Sequence, residues 1–170
     1  LVNCRNRVYS MALVHEHLYK YDSLAAISME TYIQEMVSNL YDLYARGREI
    51  SYSVDVDPIS LHIDTAVPTG LILNELITNA FTHAFPGNRQ GKIEVALKQA
   101  NASGCILTVE DNGTGFPDEA ERGKSSSLGL ELVGILSDQL DAKLSRRSGA
   151  GTKYSLVIPL KHEEPPAPAY

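Results

Sequence analysis

Tryptophan is absent from the 170 residues, and cysteine occurs only at Cys4 and Cys105. Two thiols, one in a helical and one in a strand pattern, make no disulfide framework and no metal-spaced pair. They read as small buried side chains, in keeping with a reducing cytosol. The chain also lacks any block of lysine or arginine, and its formal net charge is −6 with an isoelectric point near 5.3. Nucleic acid and anionic membrane are thereby excluded as main partners. No apolar run approaches the roughly 20 residues that span a bilayer, and no signal-peptide pattern is present. The expectation is a cytoplasmic fragment without direct membrane contact. Because the chain starts at Leu1 and not at methionine, it reads as a piece cut from a longer protein, whose upstream part is open to a sensor or a membrane segment. Internal repeats are missing too.

What is present suffices for one domain of ordinary size with a helical appendage: 44% of residues are apolar and 21% charged. From Leu1 to about Tyr21, Leu1, Cys4, Val8, Met11, His15 and Leu18 step by three and four, which predicts an amphipathic helix. Asp22-Ser23 breaks it. A second helix is predicted from Ser28, a candidate N-cap, with Ile33, Met36, Val37, Leu40, Leu43 and Tyr44 on its apolar face and Arg46-Gly47 at its end. Tyrosines crowd both helices, as suits a packed hairpin or a subunit interface. Alternation then predicts strands over Glu49–Val56 and Ile59–Ile63, around the Asp57-Pro58 turn. Further strands are predicted at Gly91–Gln99, Cys105–Glu110, Ala142–Arg147 and Thr152–Pro159, with a helix over Leu128–Leu140. The expected division is a helical hairpin over 1–46, an α/β layer with helices on one face of a mixed sheet over 47–160, and a disordered tail over 161–170.

The stretch from Val67 to Pro86 organises the rest. Pro68 is placed to open a helix, and Pro86-Gly87 to close it. Leu71, Ile72, Leu73, Leu76, Ile77, Ala80, Phe81 and Ala84 make this helix apolar around most of its girth, so it should be buried on nearly every side. Yet Glu75, Asn79 and His83 recur every fourth residue along one stripe, with Asn74 beside it. Polar groups on a buried helix are costly unless something pairs with them.

Strand Cys105–Glu110 runs into Asp111-Asn112-Gly113-Thr114-Gly115-Phe116-Pro117. Asn-Gly is a strong hairpin signal, but no partner strand follows it, since Thr114 to Ser127 reads as loop. A single aspartate after a strand, among glycines that let backbone approach a ligand, suits a nucleotide pocket. A carboxylate there accepts an N–H from the adenine amino group and repels the guanine carbonyl. Two commoner phosphate motifs fail: Asp118 stands where both a dinucleotide fingerprint and a P-loop ending in Gly123-Lys124-Ser125 require glycine. Leu128-Gly129-Leu130 opens a helix whose free N–H groups can meet a phosphate, and Gly149-Ala150-Gly151-Thr152 precedes the last strand.

In this order, N-E-L-I-T-N-A, D-N-G-T-G-F, L-G-L and G-A-G-T resemble the N-box and three glycine boxes of the Bergerat-type ATPases, over about six-tenths of the chain. The implied fold is α+β, a two-layer Bergerat-type α/β sandwich preceded by a helical hairpin. The start, with V-H-E-H-L-Y, resembles the dimerisation region of sensor histidine kinases that carry V-H-E-x-L-Y. The resemblance implies that the phosphoacceptor histidine lies upstream and that His15 is structural. It further implies ATP and Mg²⁺ as cofactors, with Asn79 holding Mg²⁺ and Glu75 orienting or deprotonating the attacking group. His83 would lie near the phosphates and Asp111 would read adenine. Gly113 and Gly115 would keep the base pocket open. Leu128, Gly129 and Leu130 would form the phosphate-facing helix start, and Thr152 would hydrogen-bond near Asp111. Thr82 stands where family members often carry Lys or Arg, a charge that Lys124 or Arg122 in the loop would supply.

Function then follows the resemblance: the γ-phosphoryl group goes from ATP to a histidine and on to an aspartate of a response-regulator receiver domain. A homodimer through the helical hairpin is implied. The alternatives are a nucleotide-binding pseudokinase or dimerisation module, and an anti-sigma-type serine kinase, against which the helical start argues.

Overall fold

The computed structural model describes residues 27–87, 89–101, 103–115 and 128–160. The first predicted helix, with His15 and Cys4, and the tail lie outside them.

A short strand β1 (Ile27–Ser28) leads into helix α1 (Met29–Tyr44). Met29, Tyr32, Ile33, Met36, Val37 and Leu40 recur every three or four residues and are all buried, which is why this segment is a helix with one inward face. Ser28 holds the N-cap position in an extended conformation but makes no side-chain capping bond, and Glu30 complements the dipole of the first turn. Leu43, expected on the apolar face, is instead 46% exposed.

After β2 (Ile50–Val56), the chain adds only two residues of strand, β3 (Ser60–Leu61), which pairs with β1 and not with β2. Helix α2 (Ile63–Asn79) then starts five residues earlier than Pro68 predicts. The imidazole of His62 accepts the Asp64 amide and caps it at 3.3 Å, so Pro68 lies inside the helix. Five residues of π-helix, Ala80–Ala84, continue α2. Strands β4 (Gly91–Asn101) and β5 (Gly104–Asp111), helix α3 (Leu128–Gln139) and strands β6 (Lys143–Gly149) and β7 (Gly151–Pro159) complete the chain.

The main sheet has the order β2-β4-β5-β7-β6, with β2 parallel to β4 and the remaining pairs antiparallel. Period-two alternation sends Ile93, Val95, Leu97, Cys105, Leu107, Val109, Tyr154, Leu156 and Ile158 toward the helices, all buried. The opposite face is polar. There Lys92 pairs with Glu94 at 2.6 Å, Lys153 with Glu110 at 2.7 Å, and Lys98 with Asp55 and Asp57. Solvent screens such exposed pairs, so they add little to stability. β6 is an outer strand exposed at almost every residue, and it carries Lys143, Arg146 and Arg147. The expected two-layer mixed-sheet architecture is thus the observed one. Among the described residues, no helix is long and apolar enough to cross a membrane.

Residues of α1, α2 and the sheet form one hydrophobic cluster. Helix α1 thus packs on the same core as α2 and the sheet. Tyr32, one of the tyrosines that suit a packed hairpin or a subunit interface, is fully buried. Its hydroxyl lies over Gly70, where a Cβ would overlap the phenol, and it has no hydrogen-bond partner among the described residues. Burial also raises the Cys105 thiol to about 11, which keeps it protonated and unreactive.

Opposite signs are expected at the Tyr32–Gly70 contact. Gly70→Ala should destabilise by about 1–3 kcal/mol through overpacking. Tyr32→Phe, which removes an unpaired buried hydroxyl, should be neutral or stabilising by about 1 kcal/mol. Urea unfolding of both variants checks this, and a destabilised Tyr32→Phe would mean that the hydroxyl has a partner.

Candidate functional site

The site lies where the carboxyl end of α2 meets the end of β5. Both segments end with backbone groups that need partners, and their mutual satisfaction sets the geometry. The wide i→i+5 turns of Ala80–Ala84 close α2, and such turns recur at functional sites. Helix ends leave carbonyls without intrahelical donors. Here the Arg48 guanidinium donates to the Phe81 carbonyl at 2.7 Å and to the Phe85 carbonyl at 2.5 Å. The Thr114 amide donates to the Ala84 carbonyl at 3.0 Å.

The loop after β5 is held just as closely. Asp111 is the last residue of β5 and stands opposite Thr152 in the β5–β7 ladder. Its Oδ1 accepts the Gly113 amide at 2.9 Å and the Thr152 amide at 3.3 Å, and the Thr152 hydroxyl bonds to it as well. Asp111 is 8% exposed. Burial is the largest influence on its carboxyl and holds it above the usual carboxylate range, against the pull of the Gly113 and Thr152 donors. The neighbouring Asn112 side chain accepts the Lys92 amide at 2.7 Å, which pins the loop to β4.

Glycine is required at two of these positions for space. A Cβ on Gly113 would collide with the Ala84 carbonyl, and one on Gly151 with the Asp111 backbone, where φ is also +114°. The glycines expected to keep a base pocket open therefore act first by letting backbone segments touch. Gly115 likewise faces the Gly149–Gly151 turn.

Along α2, Glu75 is buried and Asn79 half-buried, while His83, inside the π-helical segment, is exposed. The expected four-residue stripe thus runs from the core to solvent. Asn74 is buried and accepts the Thr78 hydroxyl at 3.4 Å. The Asn79 carboxamide makes no hydrogen bond among the described residues. Helix α3 packs along α2; at its start Leu128 is 71% exposed, Gly129 buried and Leu130 half-buried. Lys124, Arg122 and Phe116 lie outside the described residues. Asp111, Gly113 and Thr152 thus form one hydrogen-bonded cluster, joined through Ala84 to the helix that carries Asn79 and Glu75. Sequence reasoning missed Arg48, which lies 33 residues from its first acceptor and carries no local signal.

Comparison with known proteins identifies the family. Residues 64–162 match the family described as histidine kinase-, DNA gyrase B-, and HSP90-like ATPase, and residues 1–44 match a histidine kinase model. The chain belongs to this ATPase family, and membership implies that it binds ATP. Within the family it falls with the sensor histidine kinases, having the Bergerat-type ATP-binding fold. It is 30% identical over 139 residues to blue-light-activated histidine kinase 2 of Erythrobacter litoralis, covering 81% of this chain and 40% of that one. It is 30% identical over 167 residues to the sensor histidine kinase PdtaS of Mycobacterium tuberculosis, covering 94% of this chain and 32% of that one. The chain therefore spans less than half the length of these relatives. The solved histidine kinase domain of the Erythrobacter litoralis EL346 blue-light activated kinase superposes with a TM-score of 0.80 at 28% identity, over 91% of this chain and 73% of that one.

The Asp111 environment has a pH signature. A carboxyl held above its unfolded value lends stability that is present below the unfolded value, near 3.9, and lost as pH rises through the folded one. The melting temperature of the nucleotide-free protein, minus that of Asp111→Asn, should therefore fall between pH 3.5 and 7. Parallel pH profiles would mean that Asp111 ionises without cost.

Proposed function

We propose that this chain is the ATP-binding catalytic part of a sensor histidine kinase, moving the γ-phosphoryl group of ATP to a histidine and then to an aspartate of a response-regulator receiver domain. One observation carries the reading: a buried, backbone-anchored Asp111 faces a loop that is fixed to the helix bearing Asn79 and Glu75. A carboxylate so anchored keeps acceptor capacity for the adenine amino group and disfavours guanine.

Magnesium fits the residues present. Asn79 offers a half-buried carboxamide oxygen with no protein partner among the described residues, and no three His, Cys, Asp or Glu side chains cluster as a metal cage there. Mg²⁺ usually keeps several waters and binds through few protein oxygens plus substrate phosphates. When bound, it would neutralise charge on the phosphates. Asn79 would hold it, and Glu75, one turn earlier, would orient the attacking imidazole or take its proton. His83 would lie at the solvent side of the phosphates. Leu128, Gly129 and Leu130 would present the start of α3 to them, with Lys124 supplying positive charge from the loop.

In the transfer, the bond between the γ-phosphorus and the β–γ bridging oxygen breaks and a bond to an imidazole nitrogen forms, leaving ADP. The phosphoryl group then passes to the receiver carboxylate, which restores the histidine. The accepting histidine would lie upstream of Leu1, and the chain would dimerise through the helical region that the histidine kinase model matches over residues 1–44.

Titration with ADP and ATP, with and without Mg²⁺, is the direct test. The melting temperature should rise with adenine nucleotides, more so with Mg²⁺, and not with GTP. Asp111→Asn should weaken ATP binding roughly ten- to a hundredfold, as expected on loss of a hydrogen bond to a charged group. In a longer protein that includes the accepting histidine, Asn79→Ala should abolish phosphoryl transfer, while in the 170-residue chain the melting temperature without nucleotide stays within a few degrees. Full transfer in that variant would remove Asn79 from the metal site.

A further inference from the structure

The π-helical turn that closes α2 is gripped from two sides. On one, Gly113 packs against Ala84, and the Thr114 amide and hydroxyl both address the Ala84 carbonyl, at 3.0 Å and 3.5 Å. This is the loop that Asp111 organises. On the other, Arg48 reaches back from the turn between α1 and β2 and spans two carbonyls four residues apart, Phe81 and Phe85. Its own backbone is fixed, since the Arg48 amide donates to the Ala45 carbonyl at 2.9 Å, just past the end of α1. Its neighbour Glu49 accepts the Gly91 amide at 2.9 Å, and a Cβ on Gly91 would overlap the Phe85 ring. Phe85 is 1% exposed.

Guanidinium is suited to this task. It is planar and permanently charged, its donors diverge in a fixed fork, and its charge complements the negative end of a helix. Hydrogen bonds from a charged donor are about twice as strong as neutral ones. A lysine has the charge but not the fork.

We propose that Arg48 is a positioning residue for the nucleotide site, holding the π turn in the register at which Ala84 meets Thr114 and thereby tying the end of α1 to the Asp111 loop. Among the described residues Arg48 hydrogen-bonds none of the groups assigned to ATP, and it acts through Phe81, Phe85 and the turn between them. This inference rests on the ATP-site reading for its effect on binding, but the coupling itself is testable without nucleotide.

The experiment compares the 170-residue chain with Arg48→Met and Arg48→Lys at a temperature where circular dichroism reports all three as folded. In the nucleotide-free protein, the Thr114 amide should exchange its hydrogen at least about fivefold faster in Arg48→Met. Arg48→Lys should fall between the two. The dissociation constant for Mg·ADP should rise by at least about fivefold in Arg48→Met, with partial recovery in Arg48→Lys. A lower melting temperature with unchanged Thr114 exchange would make Arg48 a plain helix cap and overturn the proposal. Faster Thr114 exchange in a protein that binds no nucleotide, variant or not, would keep the coupling and sink the ATP reading.

Discussion

Backbone carbonyls at the end of a buried helix must find donors, and in this protein that requirement ties the molecule together. Helix α2 is apolar around most of its girth and lies between α1 and α3, and its closing turn buries Ala80, Phe81, Ala84 and Phe85 while Thr82 and His83 face solvent. Water is a poor substitute for partners there. The carbonyls of Phe81 and Ala84 within the widened turn, and of Phe85 just after it, meet two donors on Arg48 and one on Thr114. The ends of α1, α2 and β5 meet at that single point. Asn79 lies immediately before it and Asp111 just beyond its far side, so the groups assigned to the phosphates and to the base share one scaffold.

The Asp111 corner shows a second constraint, the cost of a carboxyl out of water. Two backbone amides and a hydroxyl address it, yet burial still outweighs them. A structural role alone does not need an acid there, because asparagine would accept the same amides without that cost. An energetically unfavourable group held by well-made hydrogen bonds is what a binding site looks like before its ligand arrives.

Much of this was legible in the sequence because it is local. Period-two alternation located β4, β5 and β7, and their inward residues follow from it. The spacing of three and four gave α1, and the glycines around Asp111 and Thr152 marked the loops that approach one another. What was not legible depends on tertiary partners. Pro68 reads as a helix start, but the His62 cap and the packing of α2 carry the helix five residues further back. Tyr32 reads equally as part of a packed hairpin or of a subunit interface, and only the fold shows that Gly70 leaves room for its phenol in the core. The π turn has no signature in T-N-A-F-T-H-A-F, where the usual helical spacing fits equally well. Arg48 has no local signal of its own, and only the fold reveals what it reaches.

The outer strand β6 has a bearing on how such domains live at high local density. An unpaired strand edge is a template on which another chain can add, and sheets of this kind grow by that route. Lys143, Arg146 and Arg147 fall within five residues along that edge. Two copies brought edge to edge would confront like charges before any backbone pairing formed. The charges along β6 thus disfavour pairing of that edge with the same edge of a second copy.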